Sequence, residues 1–258
     1  MNTPPIVVAY GGGTNSTALL VHLHETGVTP DLILFADTGS EKPHTYKHVE
    51  AVSVWCKQVG FPGIVTVRKG GRQESLEESC LRQNMLPSIA YGYKSCSLKY
   101  KRAPQDVYVN NWQPAIDCWK LLGLKVIKLI GYDADEERRA KIAADDKYDY
   151  QYPLIEIGWG RDECIAAIDR AGLPRPGKSA CFFCPSSTVA EIHWLRDNEP
   201  SMFARALAME NNAELTSVKG LGRRFAWRIH ANPDQPAPVI ESGIAPECDC
   251  YDGGDDLW

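Results

Sequence analysis

This 258-residue sequence predicts an α/β fold built on a mainly parallel sheet. Three observations carry the prediction. Short aliphatic, β-branched runs recur at 6–10 (IVVAY), 31–37 (DLILFAD), 63–69 (GIVTVRK) and 124–132 (LKVIKLIGY). Stretches with helical periodicity separate them, and that alternation makes right-handed βαβ units. Each run also ends in polar or glycine-rich sequence, where an open parallel sheet places its binding crevice.

The elements follow in order. IVVAY is a strand, and Ser16 to Glu25 is a helix closed by Gly27. The second run, 31–37, is a buried strand. Tyr46 to Val59 is helical, with Gly60 just beyond it, and 63–69 is the third strand. A helix is expected over 98–121, interrupted near Pro104, before the fourth strand and a helix at 161–171. After about residue 175 the character changes. PRPGKSACFFCPSS reads as loop, 188–196 as an amphipathic stretch, and Pro200 to Asn211 as a helix. KGLGRRFAWR (219–228) is basic with aromatics interleaved. From Ile229 onward there is no Lys or Arg while seven Asp or Glu accumulate, so an extended acidic tail is expected.

Composition narrows the class. Hydrophobic residues at 44% and charged residues at 24% are ordinary for a globular protein. The net charge of −5 argues against wholesale nucleic-acid binding, though not against a local basic groove. MNTPPIVVAY has no basic n-region and reaches a strand at once, so no signal peptide is expected. With no apolar run long enough for a membrane, a cytoplasmic location is expected. In a reducing compartment, nine cysteines point to metal ligands, redox groups or buried small hydrophobes before disulfides.

The first strand runs into Gly11, Gly12, Gly13, Thr14, Asn15, Ser16 and Thr17. Such a loop can bring backbone N–H groups and hydroxyls up to a phosphate at a helix N-terminus. Taken alone it reads equally well as a connecting turn. It is not a Walker loop, because no Lys follows the last glycine. The other strands end in ADTGSE (36–41), VRKGGR (67–72) and GYDADEERR (131–139), and their convergence favours a nucleotide site.

GGGTNST resembles the PP-loop of ATP pyrophosphatases and sulfonucleotide reductases, SGGxDS. Gly11 stands at the family's first Ser and Asn15 at its Asp, which removes a carboxylate that could orient magnesium. Together with ADTGSEKPHTYKHVEAVSVW, SCSLKYKRAP, GYDADEERR and SACFFCPSS, the ordered set resembles the phosphoadenosine phosphosulfate (PAPS) reductase family over roughly residues 5–200. The resemblance implies a three-layer α/β sandwich of the adenine nucleotide α-hydrolase-like kind, with a helical and irregular C-terminal region. It divides the chain into a nucleotide-binding domain (1–175), a Cys-x-x-Cys and helical region (176–228) and an acidic tail (229–258). It also implies an adenine nucleotide, either ATP or a sulfonucleotide. Asp37, Thr38 and Gly39 are expected at the adenosine, and Lys99, Lys101 and Arg102 near its anionic part. Thr38 to Glu41 also has capping-box spacing, and the lysines also read as a solvated basic face. Glu136 and Arg139 match the family's acidic-then-basic pattern, Arg139 as a bidentate clamp on phosphate or sulfate. Their alternative is an exposed helix with paired charges.

Cys181-x-x-Cys184, followed by Pro185, is half of a metal or iron–sulfur site. The resemblance adds Cys96, with Cys80 as a candidate fourth ligand, and implies a [4Fe–4S] cluster whose open iron can hold a transferable sulfide. Structural zinc and free thiols remain the alternatives. Cys56, Cys118 and Cys164 fall within predicted helices and read as packing residues. Glu247-Cys248 echoes the reductases' terminal motif, with Cys248 or Cys250 as the thiol that would attack a sulfonucleotide. Two enzymatic chemistries fit: sulfonucleotide reduction, with a thioredoxin-like thiol partner, or ATP-driven sulfur transfer, as in nucleic-acid thiolation or phosphorothioation. For the latter, Lys219, Arg223, Arg224 and Arg228 with Phe225 and Trp227 are the candidate nucleic-acid surface. A nucleotide- or zinc-binding module without turnover is the competing class.

Overall fold

The computed structural model describes residues 3–70, 74–142, 145–232 and 234. Five parallel strands form one sheet in the order β3-β2-β1-β4-β5. They are β1 (Ile6–Tyr10), β2 (Leu32–Ala36), β3 (Ile64–Val67), β4 (Val126–Ile130) and β5 (Tyr148–Gln151). Val8 lies opposite Ile33 on one side and Leu129 on the other, so β1 is the central strand. β5 has the sequence YDYQ, with polar residues and no continuous apolar run, and goes undetected in the sequence. It is an edge strand, and an edge needs only one covered face and one paired side.

Alternation along the strands assigns the two faces. Val8, Tyr10, Ile33, Phe35 and Leu129 pack under α1 (Thr14–Glu25), α2 (Pro43–Gln58) and, further along the chain, the helix at Arg161–Arg170. Val7, Leu32, Leu34, Ala36 and Val126 face the opposite layer. That layer begins after α3 (Leu76–Arg82), where α4 (Ser95–Ser97) passes through a π-helical turn at Leu98–Arg102 into α5 (Ala103–Asn110). A turn then leads to α6 (Gln113–Asp117) and a second π turn, Cys118–Leu122. The helix expected over 98–121 is interrupted beside Pro104 by the π-helical turn that ends at Arg102, and it breaks fully after Asn110. Proline is tolerated at 104 because it sits in the first turn of α5.

The remaining helices are α7 (Pro153–Glu156), α8 (Arg161–Arg170), α9 (Val189–Asn198) and α10 (Pro200–Asn212). α3, α9, α10, Tyr100, Phe182, Phe183, Leu221 and Trp227 build a separate apolar cluster beside the sheet. Cys56, Cys118 and Cys164 are buried in the sheet's helical layers, as packing residues should be. Among the described residues no helix is long and apolar enough to cross a membrane.

The chain steps from β1 outward to β2 and β3, then restarts on the other side of β1 with β4. That reversal opens a crevice at the carboxyl ends of β1 and β4.

Candidate functional site

The crevice holds a cleft of about 680 Å³ lined by Gly11, Gly13, Ser16, Phe35, Ala36, Lys101, Gln105, Tyr132, Arg139 and Ser179, among others. Two glycines shape the backbone around it. Gly12 has a φ of +75°, and a Cβ there would lie 3.2 Å from Thr45 and Val49. A Cβ on Gly131 would lie 2.8 Å from the backbone of Asn15 and Ser16, so only glycine lets β4 end against the first turn of α1. Gly13 is the N-cap of α1 and has no side chain with which to cap it. The helix N-terminus, with its partial positive charge, thus faces the cleft.

The loop's hydroxyls are not equivalent. Ser16 Oγ accepts from Gly13 N–H at 3.3 Å and lines the cleft. Thr17 turns inward, donating to Gly13 O at 2.8 Å and meeting His48 Nε2 at 2.9 Å. Burial, and after it the neighbouring His44, pushes the His48 pKa down to about 4, so that imidazole is neutral. Thr14 accepts from Arg161 Nη2 at 3.4 Å on the α8 side. Of the hydroxyl groups in the loop, Ser16 is the one on the cleft wall. Ser179, missed in the sequence, joins it and donates to Gly11 O.

Asn15 is fully buried. Its Nδ2 donates to Asp133 Oδ2 and to Glu136 Oε2, each at 2.9 Å. This buried amide therefore gathers two carboxylates at one place. Burial raises the pKa of both acids, against the opposing pull of Asn15 on Asp133 and of Arg139 on Glu136. Arg139 pairs with Glu136, lies 4.5 Å over the Tyr132 ring, and lines the cleft.

Asp37, Thr38 and Gly39 are placed differently from expectation. Asp37 accepts from Tyr46 OH at 2.8 Å, from Gly39 N–H at 2.7 Å and from the Arg68 guanidinium. Its carboxylate fixes the loop after β2 and faces a different depression, beside Arg68 and Lys69. Thr38 does bond Glu41, at 3.1 Å, yet α2 begins only at Pro43, so the pair caps no helix. Lys99 is exposed and off the cleft, whereas Lys101, two residues on along the π-helical turn, lines it.

Cys96, Cys181 and Cys184 line one largely apolar pocket of about 450 Å³ with Thr38, Lys94, Lys101 and Phe183. Phe182 N–H donates to Ser40 O at 3.0 Å, and Cys181 forms an isolated bridge with Glu41, which pins the Cys-x-x-Cys loop to the end of β2. Thr38 Oγ1 lies 3.3 Å from Cys181 Sγ. Burial raises both the Cys181 and the Cys184 pKa, and Glu41 adds to the effect at Cys181, so without a metal both are neutral thiols. Cys80 sits in α3 within the adjoining apolar cluster and off the pocket wall; burial, with Cys96 next, pushes its thiol up to about 12.

Among the described residues no group of three or more His, Cys, Asp or Glu converges as ligands of a single metal ion, which leaves zinc without support. Three thiols on an apolar wall with two lysines do fit a thiolate-held cluster, since the cations offset its negative charge. Lys101 is common to both cavities. Burial opposes its charge, but Glu41 at 3.3 Å outweighs that and raises its pKa.

The basic segment is turned inside out relative to a stacking platform. Trp227 is fully buried and Phe225 packs against His230, while Lys219, Arg223, Arg224 and Arg228 are exposed. Cys248 and Cys250 lie outside the described residues.

No family model and no curated protein matches this chain. Among solved structures, the U34-tRNA thiolase NcsA from Methanococcus maripaludis, with its [4Fe–4S] cluster, matches at 14% identity and a TM-score of 0.44. The match covers 87% of this chain and 77% of that one. At that identity and score the likeness assigns neither residues nor a substrate to this chain.

Proposed function

We propose that this protein is a PP-loop-type enzyme that uses ATP to activate an acceptor for sulfur transfer, with an iron–sulfur cluster held by Cys96, Cys181 and Cys184. The observation that carries the reading is the shared wall: Lys101 lines both the phosphate-loop cleft and the three-thiol pocket. A nucleotide and a sulfur site placed so close together suit coupled chemistry.

The residues on the two walls suit the following roles. The α1 N-terminus, Ser16 and Lys101 bind the polyphosphate, and Arg139 holds an oxygen of the transferring group. Asp133 and Glu136 are the carboxylates at this end of the cleft that would hold magnesium, which when bound would offset phosphate charge. An acceptor oxygen attacks the α-phosphorus and pyrophosphate leaves, giving an adenylated acceptor. A sulfur nucleophile then displaces AMP. When bound in the thiol pocket, the cluster carries the sulfur to be transferred.

Nucleic acid is the acceptor that the surface favours. Arg223 stands beside Gly92, close to Lys94 on the thiol-pocket wall, and Arg224 and Lys219 are exposed nearby in sequence. These cations suit phosphate contacts, with no base stacking from the buried aromatics.

The reading is tested on anaerobically purified protein. We expect iron and acid-labile sulfide in matching amounts, and pyrophosphate released from ATP once an RNA or DNA pool is added. Sulfite released from a sulfonucleotide, with no pyrophosphate from ATP, would assign the reductive chemistry instead. Arg139→Ala is expected to weaken ATP binding by about 1–3 kcal/mol, the scale of a charge-assisted hydrogen bond. Calorimetry showing unchanged affinity would remove the clamp.

A further inference from the structure

We infer that Gln105 is the base-reading residue of the cleft and that it selects a 6-amino purine, adenine, over a 6-oxo purine. The inference rests on the nucleotide-binding reading above.

Gln105 lies in α5, one helical turn before Val109. Val109 is fully buried against β2 residues Leu34 and Ala36, so this face of α5 is the one that covers the sheet. A glutamine on such a face is out of pattern, because buried polar groups ordinarily find a partner. Gln105 is only 3% exposed, and its Oε1 is buried with no hydrogen-bond partner. The same side chain lines the cleft, alongside Ala9, Phe35, Ala36 and Ile130.

The wall around this amide is thus largely apolar. Lys101, one helical turn before Gln105, lines the cleft as well, as do the polar groups Ser16, Arg139 and Ser179. An apolar slot with one unsatisfied acceptor suits a flat heterocycle that brings a donor. Adenine presents its exocyclic amine as donor beside the N7 acceptor, and a carboxamide answers both at once. A 6-oxo purine presents two acceptors on that edge. Gln105 could then pair only one of them, and its own oxygen would stay unpaired in the buried site.

Calorimetric titration of the full-length protein with ATP, ITP and GTP tests this, with non-hydrolysable analogues if turnover intervenes. The wild type is expected to prefer ATP over ITP by about tenfold or more. Gln105→Leu keeps the apolar volume and removes the amide. It is expected to lose about tenfold in ATP affinity while ITP affinity stays nearly constant, which collapses the preference. Gln105→Glu retains an acceptor for the amine and should keep part of it. An unchanged ATP-to-ITP ratio in Gln105→Leu, with ATP still bound, overturns the base-reading role alone. A wild type that binds none of the three nucleotides overturns the nucleotide reading as well. A circular dichroism spectrum and melting temperature like the wild type's separate loss of recognition from loss of fold.

Discussion

Asn15→Asp is expected to destabilise the protein by about 3 kcal/mol at neutral pH, although it restores the acid of the PP-loop motif. The substitution removes an amide that donates to both Asp133 and Glu136 and puts a third carboxylate in its place, fully buried. For a chain of this size the loss reads as a fall of about 6–12 °C in melting temperature. Asp133 and Glu136 have folded pKa values raised above their ordinary 3.8 and 4.5. Between those values and the raised ones the folded chain binds more protons than the unfolded chain, so their contribution to stability grows as pH falls through that window. The deficit of the variant should accordingly shrink on acidification, as protonation relieves the repulsion. Thermal unfolding of both proteins at pH 7 and pH 5 checks this. A variant as stable as the wild type at pH 7 would mean that the carboxylates do not depend on the amide.

Cys181→Ser is expected to bring bound iron and sulfide down to background while ATP affinity stays within about twofold, less than 0.5 kcal/mol. Serine is a hard, weakly acidic oxygen donor where a cluster needs soft thiolate. Cys181 is on the thiol-pocket wall and does not line the cleft beside Gly13 and Ser16, so the two losses separate. Metal and sulfide analysis, visible absorption and calorimetry on the same anaerobic preparation read both. Full iron content in the variant would show that Cys181 is no ligand.

A simultaneous loss of iron and nucleotide binding would point instead to collapse of the loop after β2. Ser40 and Glu41 tie the Cys-x-x-Cys segment to that loop, so the fold itself couples the two cavities. Lys101 extends the coupling, being held by Glu41 while it faces both.

The residues themselves determined what depends on local pattern. Apolar runs gave four of the five strands: β1 and β2, covered on both faces, are apolar along their length, and β3 and β4 keep enough aliphatic residues to read the same way. The glycines located the loop after β1, because a left-handed φ at Gly12 and the close approach at Gly131 tolerate little else. Cys56, Cys118 and Cys164 read correctly as packing residues from their place in helices.

What only the tertiary structure decided is which way each polar group points and what it meets. Lys99 and Lys101 are alike in sequence, but on the helical turn that carries them one faces solvent and the other the cleft. Asp37 looked free for a ribose, yet Arg68 and Tyr46 reach it from elements distant in sequence. The aromatics of 219–228 looked available for stacking, and the core claimed Trp227 instead. Asn15 looked like a lost carboxylate until the end of β4 brought Asp133 and Glu136 to its amide. The bonds of Asn15 with Asp133 and Glu136 and of Arg68 with Asp37 join residues 31 to 121 positions apart along the chain. Residue type sets what a side chain can bond, and packing alone selects which partner it finds.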